Sequence, residues 1–183
     1  MFDFVKLCKE YEKLSPVEKG AMLTEKAVKT FARLSHMNIE GLDPKETIAA
    51  FVIGSIVSDG VIDEREYLFM YPSLVRAFGD DFDFASIKQS FESDKEGRKL
   101  VGKYTEEMMK IIAAADDDLR ADIISLCLLI ATVDGKISLK ERRYIKKPFA
   151  RKKQRLFVIK NQSKKKLSLL FSGSLFFCGT IKM

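Results

Sequence analysis

Tryptophan is absent from this 183-residue chain, and histidine occurs once, as His36. No Ser-His-Asp or Cys-His set can be assembled unless that one residue serves it. Its setting, Ser35-His36-Met37-Asn38 at the expected end of a helix, suits a side chain answering the C-terminal dipole better than a base or metal ligand. Cysteine is scarce too. Cys8, Cys127 and Cys178 lie far apart in apolar contexts with no C-x-x-C among them, which argues against a zinc ribbon or redox pair and for a reducing cytoplasm. Neither G-x-x-x-x-G-K-[ST] nor G-x-G-x-x-G occurs, so no phosphate-cradling loop is expected. The opening Met1-Phe2-Asp3-Phe4 lacks the basic start and apolar run of a signal peptide.

Acidic residues are missing from one part of the chain only. Residues 1–141 hold 19 Lys+Arg against all 26 Asp+Glu, a net of −7, whereas residues 142–183 hold the other 13 Lys+Arg and no acid, a net of +13. An acidic body therefore carries a basic tail. The length and apolar content suit one domain with a single core.

Against these absences stands a phrase that occurs twice. Asp59-Gly60-Val61-Ile62-Asp63-Glu64-Arg65-Glu66 returns seventy-five positions later as Asp134-Gly135-Lys136-Ile137-Ser138-Leu139-Lys140-Glu141, giving D-G-x-I-x-x-x-E in both copies. Each copy follows an apolar run, Ile48–Val57 and Ile123–Ala131, with neither strand alternation nor a single helical stripe. Such runs suit helices buried on every side. The glycine suits a left-handed helix end. Asp63 or Ser138, with Glu66 or Glu141 three residues on, forms a capping box, and Ile62 or Ile137 fixes the entry of the next helix. The phrase reads as helix stop, turn, helix start. It also matches the second half of an EF-hand loop, but the first ligand positions would fall on Ser55 and Val57, then on Ile130 and Thr132. Valine and isoleucine offer calcium no oxygen, so a regular EF-hand is excluded.

Two helical hairpins of this kind resemble the TerB-like family, which takes in tellurite-resistance proteins and a domain of a membrane-bound DnaJ-type co-chaperone. The resemblance covers residues 1–147, leaving 148–183 as a C-terminal extension. It implies an all-α, internally duplicated bundle with two central buried helices. It also implies a non-enzymatic, cytoplasmic stress-response module with protein partners, no small-molecule substrate, and a place at or near the inner membrane. Metal binding at the two turns is implied as well, here by Asp59, Asp63 and Glu66 with Asp134 and Glu141 and some divalent cation. Ser138 replaces the aspartate in the second copy, and helix capping accounts for both glutamates without a metal.

Further helices are expected along the chain. One covers 2–14, and a second follows the capping box Ser15-Pro16-Val17-Glu18. Asp43 caps the first buried helix. Tyr67, Leu68, Met70, Tyr71, Leu74, Val75 and Phe78 continue a helix to Gly79, their aromatics read as core, with Pro72 kinking or breaking it. Asp80–Asp83 open a short helix, Leu100 to Ile112 a longer one, and Asp116-Asp117-Asp118 cap the second buried helix. Pro148 should stop or bend the last helix.

Three readings of the tail compete. As a membrane anchor, Leu167–Ile181 offers a fifteen-residue run broken by Ser172-Gly173-Ser174, short of the about 20 that a spanning helix needs. As a surface element, its basic clusters beside aromatics suit anionic lipid, and nucleic acid less well. As an unselected extension it would have no role, and the sudden loss of acids and helix punctuation favours this third reading.

Overall fold

The computed structural model describes residues 4–37, 39–57, 62–92, 94–133 and 135–150. Within them the chain is all-helical: α1 (Phe4–Glu12), α2 (Pro16–Leu34), α3 (Pro44–Ile56), α4 (Glu64–Phe78), α5 (Phe84–Ser90), α6 (Asp94–Ala114), α7 (Asp117–Ala131) and α8 (Leu139–Ala150). Local chemistry sets most of the starts. Ser15 and Glu18 form a complete capping box at α2. Asp43, Asp63, Asp83 and Asp116 each accept backbone N–H groups at the starts of α3, α4, α5 and α7. Of the three adjacent aspartates at the start of α7, Asp116 is the cap and also pairs with Arg33, and Asp117 pairs with Arg120 at 2.8 Å.

The two apolar runs are the centre of the molecule. Every residue of α3 from Thr47 to Ile56 is buried, as is every residue of α7 from Ala121 to Ala131. α6 lies along α3, α2 lies along α7, and the two central helices touch each other. α4 packs on α2, α3 and α7, and α8 packs on α6 and α3. α1 closes over α7 and α8 through Phe4, Leu7, Cys8 and Tyr11.

The expected break at Pro72 and stop at Pro148 do not occur. α4 runs unbroken through Pro72, and α8 continues past Pro148 to Ala150. Proline leaves the carbonyl four residues earlier without its helical donor. For Pro72 that carbonyl belongs to Leu68, and both residues are exposed, so water can reach it. The assignment of Tyr71 to the core is corrected too: it is exposed, as is Leu68, while Tyr67, Met70, Leu74 and Phe78 carry the buried face of α4. The expected segments after residue 150 lie outside the described residues.

α3 and α8 approach one another closely at Gly54. A Cβ added at Gly54 would sit 2.7 Å from the Tyr144 hydroxyl, and the Tyr144 ring stacks on Phe51 with centroids 4.6 Å apart. That hydroxyl is buried near Thr105 but makes no well-aligned hydrogen bond among the described residues. Gly54→Ala should therefore destabilise the fold by about 1–3 kcal/mol through overpacking. Tyr144→Phe, which removes a buried unsatisfied group, should be neutral or stabilising. In a double-mutant cycle read by denaturant unfolding, Gly54→Ala should cost less in the Tyr144→Phe background, and strict additivity would refute the proposed clash.

Candidate functional site

The two repeated turns are where sequence reasoning placed a site, and the structure shows what their side chains do. At the first turn Asp63 is the N-cap of α4, its Oδ1 accepting from Arg65 N at 2.9 Å and Glu66 N at 3.2 Å. Glu66 lies half-buried in the first turn of the helix, and Ile62 packs against the core. At the second turn the capping box is complete. Glu141 N donates to Ser138 Oγ at 3.2 Å, and Ser138 N donates to Glu141 Oε2 at 2.8 Å. Glu141 is 7% exposed and Ile137 is buried, so this helix start is held inside the molecule. Gly135 takes φ +111°, the positive region that its place after a helix end requires. Asp59 and Asp134 lie outside the described residues.

Long-range polar contacts converge on the second turn from the N-terminal hairpin. Glu12, the last residue of α1, accepts from Ile137 N at 3.1 Å and from the Arg142 guanidinium at 2.6 Å. Lys19, in the first turn of α2, is buried and donates its ammonium to the carbonyl of Thr132, the C-cap of α7. That carbonyl lies at the negative end of the α7 dipole, where a cation is favoured. The protein thus supplies its own cation at the end of this buried helix.

The same pattern continues along α2. Lys26 and Lys29 reach Asp122 at 2.5 and 2.8 Å, and Arg33 reaches Asp116. The Lys29 ammonium is close enough for charge attraction but is not aligned for a hydrogen bond, so Asp122 Oδ2 is held by the ion pair alone. Lys19, Lys26, Lys29 and Arg33 meet Thr132, Asp122 and Asp116 in reverse chain order, which makes α2 and α7 antiparallel. Asp122 is 1% exposed, so its charge depends on those two lysines. Sequence reasoning missed Glu12, Lys19 and Asp122. One signal was available for Asp122: an acid at the head of an otherwise apolar run needs a cation from another helix.

Nucleophilic chemistry finds little support among these groups. Burial pushes the Cys8 thiol up to about 11 and the Cys127 thiol up to about 12, so neither provides thiolate near neutral pH. Tyr104 is raised to about 12 by burial and by Glu46, whose carboxylate accepts from its hydroxyl at 3.3 Å. His36 is exposed just beyond α2. Among the described residues, no three His, Cys, Asp or Glu side chains converge to hold a metal ion.

Two predictions follow from these geometries. If the glutamates act as caps, the melting temperature of the demetallated chain should not move with calcium, magnesium, manganese or zinc. Glu141→Ala should then lower stability by about 1 kcal/mol, with or without cation. A saturable rise in melting temperature, abolished by Glu66→Ala and Glu141→Ala, would instead assign the carboxylates to a metal. The second prediction concerns acid. Burial pushes the Glu12 carboxyl up, but the Ile137 N–H and Arg142 outweigh it and hold the group below its ordinary value of 4.5. A depressed folded value means the tie stabilises fully above that ordinary range and is lost as pH falls through the folded value. Glu12→Gln should flatten the fall in stability below about pH 4.5. Asp116, held low by Leu119 N–H and Arg33, should keep part of the slope. An unchanged slope in chemical unfolding across that range would refute the role given to Glu12.

No family model, curated protein or solved structure matches this chain.

Proposed function

We propose that the chain is a non-enzymatic interaction module of the TerB-like kind, built from two copies of a three-helix unit. The repeated phrase supports the duplication, and so does the packing. Exchanging α2 with α6, α3 with α7 and α4 with α8 carries α2 on α7 into α6 on α3, α2 on α4 into α6 on α8, and α3 on α8 into α7 on α4. All of these contacts are present. At the offset of the repeated phrase, Thr47 of α3 corresponds to Asp122 of α7. Both are buried polar residues turned to the flanking helix, Thr47 toward Glu107 at 3.3 Å and Asp122 toward Lys26.

The observation that carries the interaction reading is the outer face of α4, directly after the first turn. Leu68 is 68% exposed and Phe69 63%, with Tyr71 and Pro72 exposed beside them. Arg65 and Arg76 extend the Leu68–Pro72 line at helical spacing toward the two ends. Large apolar side chains grouped on one face, bordered by charge, mark a protein-binding surface better than scattered exposed residues do. The partner it fits is an apolar helical or extended segment with carboxylates at its ends. Stress-response membership, tellurite resistance included, rests on the family resemblance alone.

Leu68→Asp with Phe69→Asp should leave the melting temperature within a few degrees of the native value, since neither side chain is buried. It should also remove the partner recovered from native cells by quantitative pull-down. Recovery of the same partner at the same level by the folded variant would overturn this reading.

A further inference from the structure

We propose that the outer face of α8 is a contact surface for an anionic lipid bilayer. The helix buries Glu141, Tyr144, Ile145 and Pro148 and exposes Leu139, Lys140, Arg143, Lys146 and Lys147. Leu139, Arg143 and Lys146 follow one another at spacings of four and three, the midline of the exposed side, and Lys140 and Lys147 run beside them. Lys136, in the turn before the helix, adds a further exposed cation. Arg142 is turned the other way, onto Glu12, and no acid follows Glu141 in the sequence. The face is therefore all basic around one apolar side chain.

Two features select lipid over nucleic acid. Leu139 is 69% exposed among the cations, and a bilayer interface can take it below the headgroups while the lysines and arginine meet phosphate. A hydrated phosphodiester backbone offers that leucine nothing. The face also carries no exposed aromatic ring for bases to stack on: Tyr144 is buried under the stack with Phe51, and Phe149 packs partly on the core. The net −7 of residues 1–141 gives the attraction a direction: the rest of the body is repelled from an anionic surface while α8 is drawn to it. This surface is separate from the α4 face, and either proposal can fail without the other.

The test is co-sedimentation of the full chain with phosphatidylserine–phosphatidylcholine vesicles, pure phosphatidylcholine vesicles and, separately, duplex DNA. Binding to the anionic vesicles alone, weakened by salt, is expected. Replacing Lys140, Arg143, Lys146 and Lys147 by glutamine should lower the vesicle partition coefficient by about fivefold for each charge removed, with the melt unchanged because all four are exposed. Leu139→Gln should lower vesicle partition several-fold and leave any DNA binding as it was, and this variant alone decides the matter should the fourfold variant fold poorly. Unchanged vesicle binding by the Leu139 and fourfold variants would overturn the proposal, assigning any attachment to residues beyond α8. DNA binding without vesicle binding would overturn it in favour of nucleic acid.

Discussion

Two helices without a polar face must be enclosed on all sides, and the rest of the chain is arranged to do this. α3 and α7 bury ten and eleven consecutive residues each. A helix in that position cannot rely on one amphipathic neighbour; it needs cover from several directions. α2 and α6 supply long flanks, α4 and α8 return from the turns to cover further sides, and α1 and α5 fill what remains. Burying Phe51, Leu126 or Leu128 completely makes each of them worth about 2–5 kcal/mol against alanine. The ends of the central helices then become the difficult places, because buried backbone carbonyls there still require donors.

Polar contacts along α2 and α7 meet that requirement and also fix how the helices are aligned. An apolar helix surface by itself tolerates sliding by a turn. Asp122, between Lys26 and Lys29, does not, because a slip would leave a buried carboxylate without its cations, at a cost of about 3–5 kcal/mol. Lys19 on the Thr132 carbonyl and Arg33 on Asp116 anchor the two ends of the same antiparallel pair. The other long flank, α6 on α3, uses weaker singly charged contacts, Thr47 with Glu107 and Tyr104 with Glu46, both at 3.3 Å. The α2–α7 alignment is accordingly the more strictly specified of the two.

What could be read from sequence divides along the same physical line. Caps are local, so Ser15 with Glu18, Asp43, Asp63, Asp116, and Ser138 with Glu141 were legible as helix starts, and each has that geometry. Continuous apolar runs were legible as buried helices for a similar reason, since no other environment suits them. That α4 would run unbroken through Pro72 was not legible, because it depends on whether water reaches the carbonyl freed at Leu68, which is a tertiary property. Tyr71 was misread as core because Tyr67-Leu68-Phe69-Met70-Tyr71 has more apolar residues than one helical face can bury, and the sequence does not say which are left outside. Glu12 and Lys19 were invisible because their partners lie more than a hundred residues away.

The two copies of the phrase consequently differ in what holds them. Around the second turn, Glu12 and Lys19 bind the segment from another hairpin, Glu141 is buried in its own capping box, and Ile137 is in the core. Change there disturbs several elements together. Around the first turn Lys88 of α5 pairs with Glu64 at 2.9 Å, the lysine half-buried and the glutamate exposed. The helix that follows turns Leu68 and Phe69 outward. The second copy of the phrase thus fastens the N-terminal hairpin to the bundle, and the first leads into the helix whose outer face is apolar.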